Sequence, residues 1–390
     1  MKFIHIHHRL GTYSSHHFNE ANGFMREFAR RGKEYVLLVN AHAQPEIVAR
    51  LNARPVLDDP TFRVEWSFEE RSRRFLDTLH RRVDRLVRRD DCVLLTVATQ
   101  LEAHALMQWM HELPQRKKPW IVVLFLSDRW NRAGRDEFER QIAEFRNVKA
   151  VMASLADEDA RRLILCTLTD LLADELHELL GEKPHVVPMP LPFDAIPFPQ
   201  ALSNPPRIAV LGGTRREKGS HRIPDIIRAC RSRVNVEFIV QLTNNTLTAE
   251  EAETLGRIAD EPQVTVIREA MPLAEYEATF DRADITLFPY EVIPYRKRTS
   301  GVFGEAVARG KPVVVTPGTW MAEQIESGRA AGTIAEGLEP QSIARAIARC
   351  IEQFESFQQA AQRMSVEWRK SGLSAFVDFI EAVIALRSRT

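Results

Sequence analysis

Five prolines crowd into Pro188-Met-Pro-Leu-Pro-Phe-Asp-Ala-Ile-Pro-Phe-Pro199, and this stretch constrains the fold more than any other in the chain. Proline has no amide hydrogen and a fixed φ, so the span fits neither a helix interior nor a central strand. We read it, extended to Pro206, as a linker. The segments on either side, 1–190 and 205–375, are each long enough for a core of their own.

Both segments alternate short apolar runs with amphipathic stretches. In the first, strands are predicted at Phe3–His7, Tyr35–Asn40, Cys92–Ala98, Trp120–Ser127 and Lys149–Ala153, with His185–Pro188 closing the series. Helices are predicted at Asn19–Arg31, Phe68–Arg89, Leu101–Glu112, Asp136–Phe145 and Asp157–Leu168. The second segment restarts the pattern, with strands at Arg207–Leu211, Val236–Gln241, Val264–Ile267, Ile285–Phe288 and Pro312–Thr316. Its helices are predicted at His221–Cys230, Ala249–Ile258, Leu273–Arg282 and Val302–Arg309, followed by a helical tail at Pro340–Gln359 and Phe376–Arg387. This alternation predicts an α/β protein with two Rossmann-like, doubly wound parallel-sheet domains facing a central cleft.

Composition removes several function classes. The 53 basic and 53 acidic side chains cancel, which argues against a dedicated nucleic-acid binder. Cys92, Cys166, Cys230 and Cys350 stand singly, as expected of reduced thiols in a cytoplasmic protein. The chain opens on strand-like Lys2–Ile6 without signal-peptide character, and no run reaches transmembrane length. No GxSxG, HExxH, CxxC or paired-carboxylate pattern supports a hydrolase or redox reading.

Two corners of the second segment suit an anion. After its first strand, Gly212-Gly213-Thr214 lets backbone approach a ligand, with Arg215, Arg216 and Lys218 beside it. The spacing is neither GxGxxG nor a Walker A loop; an ordinary basic turn is the plainer reading of this loop alone. After Ile285–Phe288 come Tyr295-Arg-Lys-Arg-Thr-Ser300 and Gly301, which open the helix carrying Glu305. Helix-start amides and the helix dipole favour anions there. Together the corners predict a pyrophosphate clamp, with Arg298, Ser300 and Gly301 on one side and Glu305 placed to accept from a ribose diol. Pro317-Gly318-Thr319 is a third candidate backbone loop.

The first segment offers a different set. His5, His7 and His8 resemble a metal cluster by composition only, and we expect no metal site. The loop from Gly11 to His17 follows the first strand, where His16 or His17 could position an acceptor hydroxyl. Asp128 could hydrogen-bond a sugar and Trp130 could stack on one, with helix capping by Asp128 the alternative. Trp66–Arg89 carries eight arginines against four acids. It reads as a solvated helix face or as a peripheral contact with anionic lipid headgroups.

At this point the chain resembles the nucleotide-sugar glycosyltransferases of the GT-B fold, and among them the retaining group called glycosyltransferase family 4. Leu211-Gly-Gly-Thr-Arg-Arg-Glu-Lys-Gly219 resembles the family's glycine–arginine–lysine–glycine loop. Lys218 matches its lysine, while Gly213 stands at the usual arginine, so that Arg215 or Arg216 would substitute. The segment 264–288 resembles the part that recognises the nucleobase and would place Arg268, Glu269 and Ala270 near it. Glu305 aligns with the second glutamate of the family's paired-glutamate motif, the ribose ligand. The first glutamate, which contacts the donor sugar, falls at Lys297, a charge reversal; Glu291 is nearby but out of frame.

The resemblance implies transfer of a sugar from a UDP- or GDP-linked donor to the hydroxyl of a glycan or lipid-linked acceptor, with retention, in surface polysaccharide or glycolipid assembly. It implies no prosthetic group and no metal, since Lys218 and an arginine, with Arg215 the first candidate, can neutralise the leaving diphosphate. His16 and Asp128 complete the predicted catalytic set. It also implies that the helix at the end of the chain, 376–390, packs back on the first domain. The other readings are a nucleotide-sugar 2-epimerase of the same fold, a non-catalytic nucleotide-sugar-binding protein and, least favoured, a dinucleotide oxidoreductase.

Overall fold

The computed structural model describes residues 1–12, 17–58, 63, 65–126, 135–193, 201–243, 247–269 and 271–389. The chain divides into two compact units. The first contains residues 1–12, 17–190 and the C-terminal stretch from Leu373; the second runs from Leu191 to Gly372.

The first unit is built on β1 (Phe3–His7), β2 (Tyr35–Asn40), β3 (Arg54–Leu57), β4 (Cys92–Ala98), β5 (Trp120–Phe125), β6 (Leu163–Thr167) and β7 (His185–Val186). They form one parallel sheet in the order β3-β2-β1-β4-β5-β6-β7. The central strands β1, β4, β5 and β6 are buried along their whole length, as befits a parallel sheet covered on both faces. One face packs on Phe75, Leu79, Leu106, Trp109 and Phe145. The other packs on Phe24, Phe28 and the C-terminal helix Leu373–Arg387 through Phe376, Val377 and Ile380.

The second unit carries β8 (Arg207–Val210), β9 (Glu237–Gln241), β10 (Val264–Ile267), β11 (Ile285–Phe288), β12 (Val313–Val315) and β13 (Gly332–Ile334). These are parallel in the order β10-β9-β8-β11-β12-β13. Strand order reverses between β8 and β11 here, and between β1 and β4 in the first unit. The crevice at the carboxyl ends of such strands is where open α/β sheets keep ligands.

Several predicted elements differ. The strand expected at Lys149–Ala153 is the last part of one helix, Arg135–Ser154. Ile142, Phe145, Val148 and Val151 recur every three residues and all meet the core, so helical period outweighs the local valines. The helix expected at Asp157–Leu168 stops at Ala160, and Leu163–Thr167 is strand β6, held between β5 and β7. A buried run this short has no period of its own, and its neighbours decide it. The long arginine-rich helix ends at Arg82 rather than Arg89. There Asp84 is taken by the Trp109 indole at 2.7 Å, and its carbonyl by Lys117 at 2.9 Å. The edge strand β3, with Pro55 in it, and the helix Asp170–Leu180 between Thr169 and left-handed Gly181 are additions to the sequence reading.

Cys92, Cys166, Cys230 and Cys350 are buried free thiols. No described helix is long and apolar enough to cross a membrane.

Candidate functional site

The loop leaving β8 is shaped by two glycines. Gly212 has φ 96°, and a Cβ there would stand 2.8 Å from the Lys218 ammonium. Gly219 has φ 70°, and a Cβ there would collide with the Pro289 carbonyl beyond β11. The left-handed backbone alone would cost another residue about 1–2 kcal/mol. The loop is tied down by Gly212 N donating to Gln241 Oε1 at 2.8 Å, Thr214 N to Thr243 O at 2.5 Å and Arg215 N to Ser220 Oγ at 3.1 Å. Gln241, at the end of β9, is an anchor that only the paired strands disclose.

Pairing of β8 with β11 brings three cations together. Lys218 lies 5.6 Å from the Tyr290 ring and Arg298 lies 5.2 Å from the Tyr295 ring. Glu217 stands between Arg215 and Arg298, 3.9 Å from one and 3.8 Å from the other. Burial of the ammonium, then repulsion from Arg215 and Arg298, lowers Lys218 to about 7, with Glu217 and Glu305 opposing the shift. The side chain as a whole keeps partial exposure, which leaves a route for a ligand. One buried hydroxyl, Thr214 Oγ1, meets no hydrogen-bond partner among the described residues, and the Tyr290 hydroxyl faces Ser300. An unmet buried polar group costs about 1–3 kcal/mol. Crowded cations beside an unused donor have the chemistry to hold an anion.

The helix Gly301–Ala308 starts against this cluster. Ser300 caps it, its Oγ accepting from Phe303 N at 3.3 Å. The amides of Gly301 and Val302 have no acceptor within the helix. A Cβ on Gly301 would come within 3.1 Å of Leu191, so small residues set the helix close to the 191–193 segment. Glu305, one turn on, accepts a 2.6 Å hydrogen bond from the Tyr276 hydroxyl on Oε2. Burial pushes its carboxyl up; Tyr276, Arg309 and Lys218 hold it down.

Gly212, Gly213, Thr214, Arg215, Lys218, Arg298, Ser300 and Gly301 thus belong to the ends of two adjacent strands, with Glu305 one turn beyond. Arg216 turns away: it is exposed and ion-paired with Glu251, because its place in the 3-10 turn Arg216–Lys218 points it outward. Arg296 is also exposed, so the basic corner contributes Arg298 inward. Glu291, the out-of-frame carboxylate, is engaged by Arg222 at 2.6 Å. Arg268 and Glu269 are exposed beyond the edge strand β10, and Arg268 donates to Gly256 O at 3.2 Å. His16, Asp128, Trp130 and Ala270 lie outside the described residues.

In the first unit His5, His7 and His8 are buried. Both ring nitrogens of His5 meet hydroxyls, Tyr35 OH and Thr96 Oγ1, each at 2.8 Å. Glu20, from the following helix, joins His5 and His7 so that three possible ligand atoms lie within 4.8 Å of one another. That carboxylate was missing from the sequence reading, since nothing in its spacing from β1 marks it. His5 is bonded at both nitrogens, so it would have to release a hydroxyl to ligate a metal there. Burial lowers His5 to about 3 and raises Glu20 to about 8. His8 lies 3.1 Å and Arg9 3.8 Å from Glu102, which also closes the capping box with Thr99. On the arginine-rich helix and the turn after it, Arg71 pairs with Glu144, Arg73 and Arg74 with Glu70, and Arg89 with Glu158.

Comparison with known proteins gives three findings. Residues 205–353, which include every residue of the cation cluster, match the family described as glycosyl transferases group 1. No curated protein matches by sequence. Solved structures match over the whole chain. Sucrose-phosphate synthase from Thermosynechococcus elongatus is 11% identical, with 100% of both chains covered and a TM-score of 0.64. HepE from Anabaena, solved with UDP-glucose, is 13% identical, with 100% of both covered and a TM-score of 0.58. A protein from Listeria monocytogenes described as a UDP-N-acetylglucosamine 2-epimerase is 14% identical, covering 100% of this chain and 97% of that one, with a TM-score of 0.59. The chain therefore has the two-domain GT-B fold, and its residues 205–353 carry the glycosyl transferases group 1 match.

Proposed function

We propose that this protein is a glycosyltransferase that uses a nucleoside-diphosphate sugar, with the second unit as donor-binding domain and the first as acceptor-binding domain. The observation that carries this is the cluster of Arg215, Lys218 and Arg298 beside the Glu217 carboxylate, with the unused buried hydroxyl of Thr214 next to it. Such a cluster is relieved by a polyanion with several acceptor oxygens, and a diphosphate is one. The UDP-glucose held by Anabaena HepE supports a nucleotide-sugar donor.

In the reaction the bond between the anomeric carbon and the diphosphate oxygen breaks, and a bond to the acceptor oxygen forms. The acceptor proton passes to the departing diphosphate. Negative charge grows on that group, and fixed positive groups aimed at it lower the barrier. Lys218, Arg215 and Arg298 supply that charge, with the amides at Ser300 and Gly301 for the distal phosphate. On this reading no metal is required, and activity survives a chelator. Departure and attack on the same face of the sugar would retain its configuration. A UDP- or GDP-linked hexose and a polysaccharide or lipid-linked acceptor are the substrates to try first.

The test is a calorimetric screen with UDP-, GDP- and ADP-sugars, followed by transfer assays with the donor that binds. Failure of all three to bind sinks the proposal. The Listeria neighbour favours a 2-epimerase as the second reading. Epimerised sugar released without an acceptor would replace the transferase reading with that one.

A further inference from the structure

The contact between Tyr276 and Glu305 goes beyond what the donor-site reading needs. Tyr276 sits on the helix Leu273–Arg282, and its hydroxyl donates to Glu305 Oε2 at 2.6 Å. Its ring is fixed edge-on against Phe280, with centroids 5.2 Å apart at 90°. Phe280 is in turn fully buried beneath the Arg309 guanidinium at 5.5 Å. The Arg309 guanidinium is committed to Asp281 at 2.7 Å and Glu277 at 3.4 Å, and the hydrogen bond Arg309 makes to Glu305 runs from its backbone amide to the main-chain carbonyl. Among the described residues the Tyr276 bond is the one hydrogen bond the Glu305 carboxylate makes, and it falls on one oxygen. A carboxylate that grips a diol presents both oxygens. Here a locked phenol stands on the Oε2 side.

We propose that Tyr276 is a positioning residue for nucleoside recognition: by holding Oε2 it leaves Oε1 as the open acceptor, so that the site reads one ribose hydroxyl instead of the diol. This rests on the donor-site reading above. The same bond keeps Glu305 in its accepting form. The groups facing the carboxylate are Lys218 from the β8 loop, Arg309 at the end of its own helix, and Glu277 and Tyr276 from the neighbouring helix. Burial favours the protonated acid, and Tyr276 is first among the groups opposing that. Removing the phenol hydroxyl therefore moves protonation to higher pH, and affinity is lost earlier on acidification.

The experiment measures binding of UDP, GDP and ADP to the full chain by calorimetry. The tightest is then compared with its 2′-deoxy and 3′-deoxy forms between about pH 5.5 and 8.5. The wild-type protein should lose about tenfold in affinity for one deoxy form and less than about twofold for the other, as one charge-assisted hydrogen bond dictates. Tyr276→Phe should even out that one-sided preference and move the acid midpoint of binding upward. Glu305→Gln should abolish the preference. A packing role alone would lower the melting temperature of Tyr276→Phe without moving the midpoint or the preference, and that result overturns the proposal. Equal losses for the two deoxy forms overturn it as well. If Glu305→Gln changes the preference and Tyr276→Phe does not, the positioning role alone falls. If the wild-type protein binds none of the three diphosphates, the donor-site reading falls and takes this proposal with it.

Discussion

The two units place charged groups at the same topological position, the carboxyl ends of the strands where the order reverses, and they balance them in opposite ways. Around β1 and β4, bases face acids. His7 lies 4.0 Å from Glu20, and His8 and Arg9 both face Glu102. Burial keeps His5 neutral and favours a protonated Glu20. Around β8 and β11, three cations share Glu217, and their crowding helps bring a lysine down to about 7. The first cluster sets opposite charges against one another, although Glu20 Oε1 is buried without a hydrogen-bond partner among the described residues. On the proposed function, the surplus positive charge of the second cluster is what the donor diphosphate would offset.

The comparison is broken most directly at Lys218. Lys218→Ala should weaken nucleoside-diphosphate binding by about a hundredfold, as expected for a desolvated charge-assisted contact. Calorimetry checks this, with circular dichroism confirming the fold, and unchanged affinity would mean that the cluster is structural after all. The next effect is in protons. An anion restores the charged form of Lys218, so binding near pH 8 should take up a proton, by up to about one equivalent. Calorimetry in buffers of different ionisation enthalpy reads it, and zero uptake removes Lys218 from contact with the anion.

A smaller effect is expected in the first unit. Glu20 has its pKa raised from 4.5 to about 8, so the stability its protonated form contributes is present below about 4.5 and lost as pH rises through about 8. Glu20→Gln should therefore melt above the wild-type protein at pH 9 by several degrees and match it near pH 5, at roughly 2–4 °C per kcal/mol. The same difference at both pH values would show that the carboxyl does not titrate in the folded protein. The smallest effect is at Arg216, whose ion pair with Glu251 holds it away from the cluster. Arg216→Ala should leave diphosphate affinity within about twofold, the scale of an exposed pair.

Much of the second sheet is legible in the chain. Ile285–Phe288 falls where its apolar residues put it, because a buried parallel strand reads as a short apolar run, and the edge strand Val264–Ile267 and the helix Leu273–Arg282 also keep their expected bounds. The position of Lys218, Ser300 and Gly301 in the connections that follow β8 and β11 is legible too, since each lies between an apolar strand run and the next amphipathic helix. Arg216 was drawn into the predicted clamp because adjacency in sequence says nothing of direction in a turn. Tyr276, Gln241, Glu217 and Glu20 were missed as partners because each meets its target from another element or across a turn, with no spacing rule to announce it.

The sequence by itself determined the two α/β series, the proline break between them and the basic corners after Val210 and Phe288, because periodicity, φ restriction and local charge are properties of neighbouring residues. Only the tertiary structure decided which charges are answered. Pairing β8 beside β11 brings Arg298 to Arg215 and Lys218, while the helix His17–Arg30 carries Glu20 to His7. Coulomb energy and desolvation depend on distance through space, which the order of residues along a chain does not contain.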